Sequence, residues 1–211
     1  IMSAPASTRR SVAIGVHFHA EPHRLQQTLD SLRENSNGPF ELILLADGVD
    51  GEMQQFLRNA SDLKQSATTD ARGAAACFNR LCALTRTDVV LLLESGCRVG
   101  PGWLDHLLAA LLAEPHHGLA GPSTNLAWND QCVFPGRADS PGDIRKTAEE
   151  ALQKFGQTWQ TLAPLYSLAD FCYAVRREVV EAIGAADEAY GPGPCWEMDY
   201  NIRAARAGFS G

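Results

Sequence analysis

Two periodicities alternate along the first 120 positions of the chain. Short β-branched or fully apolar runs at 11–18 (SVAIGVHF), 40–46 (FELILLA) and 88–93 (DVVLLL) predict strands, and 119–122 a fourth, short one. Between them apolar residues recur at helical spacing. Pro22 opens a helix carrying Leu25, Leu29 and Leu32, which 35–39 breaks. Residues 53–59 read as a second helix, and 73–85, with Ala76, Leu81 and Leu84, as a third; Pro101-Gly102-Trp103 begins another that runs to Leu112. Strand and helix in alternation imply a right-handed, mostly parallel α/β sheet flanked by helices in three layers. Ligands collect at the carboxyl ends of the strands in such sheets. The loops after Phe18, Ala46 and Leu93 are therefore the places to look for chemistry.

The pattern changes from 125 to 167. A Pro/Gly-rich loop at 135–142 and a polar helix at 144–155 read as an insertion over the ligand edge of the sheet, not as a second domain. Residues 1–10 lack the apolar core of a signal peptide and read as a disordered leader. The chain stops just after a helix, at Gly208-Phe209-Ser210-Gly211, which suggests one domain, 11–211, cut from a longer protein.

Composition narrows the class. A net charge of -7 with no dense basic stripe argues against non-specific binding to nucleic acid or anionic lipid. No apolar run reaches the length of a membrane span, so a cytoplasmic protein is expected. The six cysteines (Cys77, Cys82, Cys97, Cys132, Cys172, Cys195) form no CxxC pair and read as reduced, buried small hydrophobes.

Four ordered segments resemble family-2 glycosyltransferases: SVAIGVHFHAEPHRLQQTLDSL, ELILLADGVDG, DVVLLLESGCRVGPGWLDHLL and IGAADEAYGPGPCWEMDYNIRAARAGF. RGAAACFN and GPSTN between them also fit, so the resemblance spans Ser11 to Phe209. It implies a GT-A fold and inverting transfer of a sugar from a nucleotide diphosphate to an acceptor hydroxyl. That reaction needs the nucleotide held, the diphosphate neutralised and the acceptor deprotonated.

The resemblance assigns nucleotide binding to His17, His19, Glu21, Asp47 and Arg72, with Asp47 as acceptor for a base imide. Asp47-Gly48 is also a plain turn signal, and the histidines equally suit a strand end. The family's Asp-x-Asp, which holds Mg²⁺ or Mn²⁺ through hard oxygen ligands, is here Glu94-Ser95-Gly96. Glu94 alone keeps a carboxylate, and Arg98 offers replacement charge. Glu197 takes the place of the catalytic base, against the plainer reading of an acid at a helix N-terminus. Asp199, placed to contact sugar or acceptor, sits four residues before Arg203 and suits a helical ion pair. Asn125 and Trp128 are further sugar or acceptor candidates. Asn79 reads as a tie between loops, and Trp103 and Trp159 as packing anchors. On the helix after Glu197, the face of Met198, Ile202 and Ala205 is expected to be buried.

Gly96, Ala20 and Ala46 depart from the family at ligand-facing positions, so a GT-A domain that binds a ligand or partner without catalysis stays open beside the enzyme. A nucleotidyltransferase is disfavoured because HFHAEPHR holds no glycine-rich phosphate loop.

Overall fold

The computed structural model describes residues 10–166 and 168–211; the leader expected at 1–10 lies, except for Arg10, outside them. Its elements run β1 (Val12–Phe18), α1 (Pro22–Asn35), β2 (Glu41–Asp47), α2 (Gly51–Asn59), β3 (Lys64–Thr68), α3 (Ala74–Leu84), β4 (Val89–Glu94), α4 (Trp103–Leu112), β5 (Leu119–Ala120), α5 (Pro141–Phe155), β6 (Cys172–Arg176), α6 (Arg177–Ile183) and α7 (Trp196–Arg206). The six strands form one sheet in the order β3-β2-β1-β4-β6-β5. β1 pairs in parallel with both β2 and β4, whereas β6 runs antiparallel to β4 and β5.

Alternate residues of each strand face opposite layers. Ile14, Val16, Phe18, Leu91 and Leu93 pack on one side with Leu25, Leu29, Met53 and Leu104 from α1, α2 and α4. Ala13, Ile43, Leu45, Val90 and Leu92 pack on the other with Phe78, Leu81, Trp196 and Tyr200 from α3 and α7. Both faces being covered, the strands read as continuous apolar runs. The three layers are those expected from the sequence.

Two strands lie outside the sequence expectation. β3 reads KQSAT and buries no residue, because an edge strand paired on one side alone needs no apolar face. β6 reads CYAVR and runs straight into α6 with no Gly or Pro between them, so the change of period carries no punctuation. α5 lies beside α1 and the loop after β4, where Ala148 meets Gly100, and buries none of its residues. α5 therefore packs on the loop after β4.

On α7 the buried face is Trp196, Glu197, Tyr200, Asn201 and Ala204, not Met198, Ile202 and Ala205. The register is rotated because Trp196, Phe78, Tyr173 and Tyr200 form one aromatic cluster with ring centroids 5.2–6.4 Å apart. All six cysteines are free thiols; Cys77 and Cys172 are buried as expected, but Cys195 is exposed. Trp103 is a packing anchor, whereas Trp159 is 51% exposed and meets His117 edge-on. No helix among the described residues is long and apolar enough to cross a membrane.

Candidate functional site

The parallel strands β1, β2 and β4 deliver His17, Asp47 and Glu94 to one end of the sheet, since His17 is in register with Glu94 across the ladder. His17 is buried between the two acids. Its Nδ1 donates to Glu94 Oε1 at 2.6 Å and its Nε2 lies 3.4 Å from Asp47 Oδ2. Burial alone would strip the imidazole of its proton, but Asp47, Cys77 and Glu94 together outweigh it and hold the His17 pKa up at about 12. His17 is a buried imidazolium.

Asp47 is fully buried, and both its oxygens are engaged. Oδ1 accepts from the Arg72 backbone N–H at 2.9 Å and the Thr68 hydroxyl at 3.0 Å. Oδ2 accepts from the Gly73 N–H at 2.8 Å as well as facing His17. Against the penalty of burial, these donors hold the carboxyl well below its usual range. Its own carbonyl accepts from His19 Nδ1 at 2.8 Å. Asp47 thereby fixes the loop that opens α3.

Gly73 is the second part of that junction. Its φ is +89°, and a Cβ there would lie 1.9 Å from the Gly191 carbonyl oxygen, so only glycine lets the loop before α7 close down on α3. Asn79 completes the tie expected of it, exchanging bonds of 2.8 and 2.9 Å with the backbone of Ala186. Arg72 reaches the same loop, with Nη2 3.3 Å from Glu188 Oε2.

That loop sets Glu197 in the first turn of α7. Its side chain is buried, and Oε2 has no hydrogen-bond partner. Burial first, and the negative charge of Asp170 second, raise its pKa to about 7, while the N–H groups of Cys195 and Glu197 pull the other way. Asp170 was not singled out in the sequence. It immediately precedes Phe171, whose carbonyl accepts from Glu94 N–H at 2.9 Å at the carboxyl end of β4. A lone acid in an apolar stretch carries no sequence signal of its own; its place at the β4–β6 junction does.

The remaining candidates are distributed around this edge. Asp199 pairs with Arg203 at 2.8 Å, the helical ion pair that the spacing allowed. Glu21 has a left-handed φ of 60° at the start of α1, and its carboxylate pairs with Arg24 Nε at 3.0 Å. Asn125 and Trp128 lie in the loop that follows β5, with Asn125 Nδ2 bonded to the Arg137 carbonyl and Trp128 56% exposed. Buried Gln131 holds that loop down by bonding Pro122 and Ala169 backbone groups.

The donor set offers a divalent cation less than an Asp-x-Asp motif does. One Glu94 oxygen is taken by the His17 imidazolium, and Gly96 supplies no side chain. A Cβ on Gly96 would instead meet Arg24, 3.5 Å from Cδ and 3.9 Å from Nη1. Arg98 is engaged elsewhere, by the Asp139 carbonyl and by Gln27 at 2.6 Å. Among the described residues, the ligand atoms of His17, Asp47 and Cys77 do lie within 4.8 Å of one another. With both Asp47 oxygens already accepting, that trio is a hydrogen-bonded network.

Comparison with known proteins places this geometry. The sequence profile of "Glycosyl transferase family 2" matches residues 13–184. The chain is 25% identical to the N-acetylglucosaminyl-diphospho-decaprenol L-rhamnosyltransferase of Mycobacterium tuberculosis, covering 84% of this chain and 64% of that protein. It thus spans less than two thirds of that relative's length. A mannosyltransferase from Pyrobaculum calidifontis, solved with GDP-Man and Mn²⁺, superposes with a TM-score of 0.65 at 15% identity, covering 96% of this chain and 54% of that one. Glucosyl-3-phosphoglycerate synthase from Mycobacterium tuberculosis, solved with Mn²⁺, UDP and glucosyl-3-phosphoglycerate, gives 0.59 at 20% identity, covering 94% and 66%. The shared architecture is the GT-A fold. With the family profile running from β1 through α6, the chain belongs to glycosyl transferase family 2.

Proposed function

We propose that this domain transfers a sugar from a nucleotide diphosphate to a hydroxyl-bearing acceptor, with inversion and with Glu197 as the base. The observation that carries the reading is the Glu197 carboxyl, buried at the ligand edge with one oxygen unpartnered and a pKa of about 7. A general base works best when its pKa lies near the operating pH. A binding module gains nothing from leaving a buried acid unsatisfied, which costs stability.

In this reading Glu197 takes the acceptor proton as the acceptor oxygen attacks the anomeric carbon and the bond to the diphosphate breaks. The His19 ring and the loop at Arg72 border the nucleotide. Asp47 shapes that border from below, through the backbone of Arg72 and Gly73. Trp128 and Asn125 border the sugar and acceptor.

The test is Glu197→Gln, assayed for transfer and for binding of UDP, GDP, dTDP and CDP. Loss of transfer with nucleotide affinity intact supports the base. Loss of both assigns Glu197 to the framework, and retained transfer removes it from the chemistry.

A further inference from the structure

Gly96 stands where the family's second metal-binding aspartate would be, and the Arg24 side chain borders the space above it. The Gly96 N–H donates to Thr28 Oγ1 at 2.8 Å, which pins α1 against the loop after β4. Arg24 lies one helical turn before Thr28, on the same face of α1. Its side chain therefore runs beside Gly96, with Cδ 3.5 Å from where a Cβ on that residue would lie. Gly96 has a φ of +93°, a conformation that disfavours any L-residue, so the loop itself is shaped for a residue without a side chain.

We propose that Arg24 replaces the divalent cation, binding the diphosphate of a nucleotide donor directly and stabilising its negative charge as the sugar leaves. The proposal rests on the transferase reading above. Three observations carry it. The Arg24 side chain passes beside the position from which a second metal carboxylate would project, with Nη1 3.9 Å from where its Cβ would lie. Glu94, the remaining carboxylate, has one oxygen held by His17. Arg24 is 56% exposed, so its head can turn to a ligand while Glu21 steadies it through Nε. A guanidinium matches the geometry of phosphate oxygens with paired N–H donors, and it stays charged at any working pH. A dication set beside the same guanidinium would be repelled.

The experiment measures binding of UDP, GDP, dTDP and CDP, and of each parent nucleoside, to the protein in excess EDTA and again with Mn²⁺. Expected is one diphosphate that binds in EDTA with an affinity Mn²⁺ changes less than threefold. Arg24→Gln should weaken that diphosphate about tenfold or more and leave the nucleoside unchanged, and Arg24→Lys should recover part of the loss. The unchanged nucleoside shows that the variant is folded. Diphosphate binding by the wild type that needs Mn²⁺, or an Arg24→Gln variant that binds the diphosphate like wild type, overturns the proposal while leaving the donor site standing. No nucleotide binding by the folded wild type overturns the transferase reading and this inference with it.

Discussion

The indole N–H of Trp196 donates to Asp170 Oδ2 at 2.9 Å, so the neighbour of the candidate base holds the acid whose charge acts on that base. Trp196 is itself locked in the aromatic cluster with Phe78, Tyr173 and Tyr200. Asp170 is therefore fixed by packing and keeps a constant electrostatic pressure on Glu197.

From this, kcat/KM for transfer should rise with pH through about 7 as Glu197 loses its proton. Asp170→Asn removes the neighbouring charge and should move that limb to lower pH, leaving the part due to burial. A pH–rate profile of wild type and variant checks it. An unmoved limb would show that Asp170 does not act on the base.

Glu197 also ties stability to pH. A carboxyl whose folded pKa is raised, here from 4.5 to about 7, favours the folded state below the unfolded value and loses that contribution as pH rises through 7. Glu197→Gln cannot ionise. It should therefore be more stable than wild type at pH 8, by on the order of 1–3 kcal/mol, and show no such gain at pH 4. Thermal or urea unfolding at the two pH values measures the difference.

The His17 imidazolium acts through the same linkage. Its folded pKa is raised from 6.5 to about 12, so its contribution is complete below pH 6.5 and is lost as pH climbs towards 12. The depressed Asp47 carboxyl contributes above its ordinary range and loses that contribution in acid. His17→Ala removes the cation between two buried or half-buried acids, leaving Asp47 its three neutral donors, and should cost about 3 kcal/mol at pH 6. Urea unfolding tests this. A loss below about 1 kcal/mol would mean that the two acids find other partners.

Gly73→Ala should be destabilising by on the order of 3 kcal/mol, from the left-handed backbone and the collision with Gly191. Transfer should fall with it, because the displaced loop carries Glu197. Trp128→Ala, in contrast, removes an exposed ring; it should leave stability within about 0.5 kcal/mol and raise the acceptor KM.

The parts of the fold that the sequence made legible are those in which burial dictates the pattern. β1, β2 and β4 are buried on both faces and announce themselves as apolar runs. β3 escapes because an edge strand carries no such pattern, and β6 because its apolar run merges with α6. At the site, the loops after Phe18, Ala46 and Leu93 followed from the alternation of elements, whereas His17, Asp47, Glu94 and Glu197 followed from the resemblance to the family. What those side chains touch did not. The engagement of Asp47 depends on Thr68, Arg72 and Gly73 meeting it across the sheet edge, and Arg24 reaches Gly96 only through the docking of α1. Long-range contacts of this kind have no local periodicity to betray them.

α5 is a fifteen-residue helix with no buried residue. Its sequence is accordingly under little obligation to the core. Exposed positions along it can change at little cost to folding, as long as the Ser140 cap, the Glu150 pair with Arg137 and the Ala148 contact with Gly100 persist. The surface beside the loop of Asn125 and Trp128 can therefore change while the packed layers of the fold stay as they are.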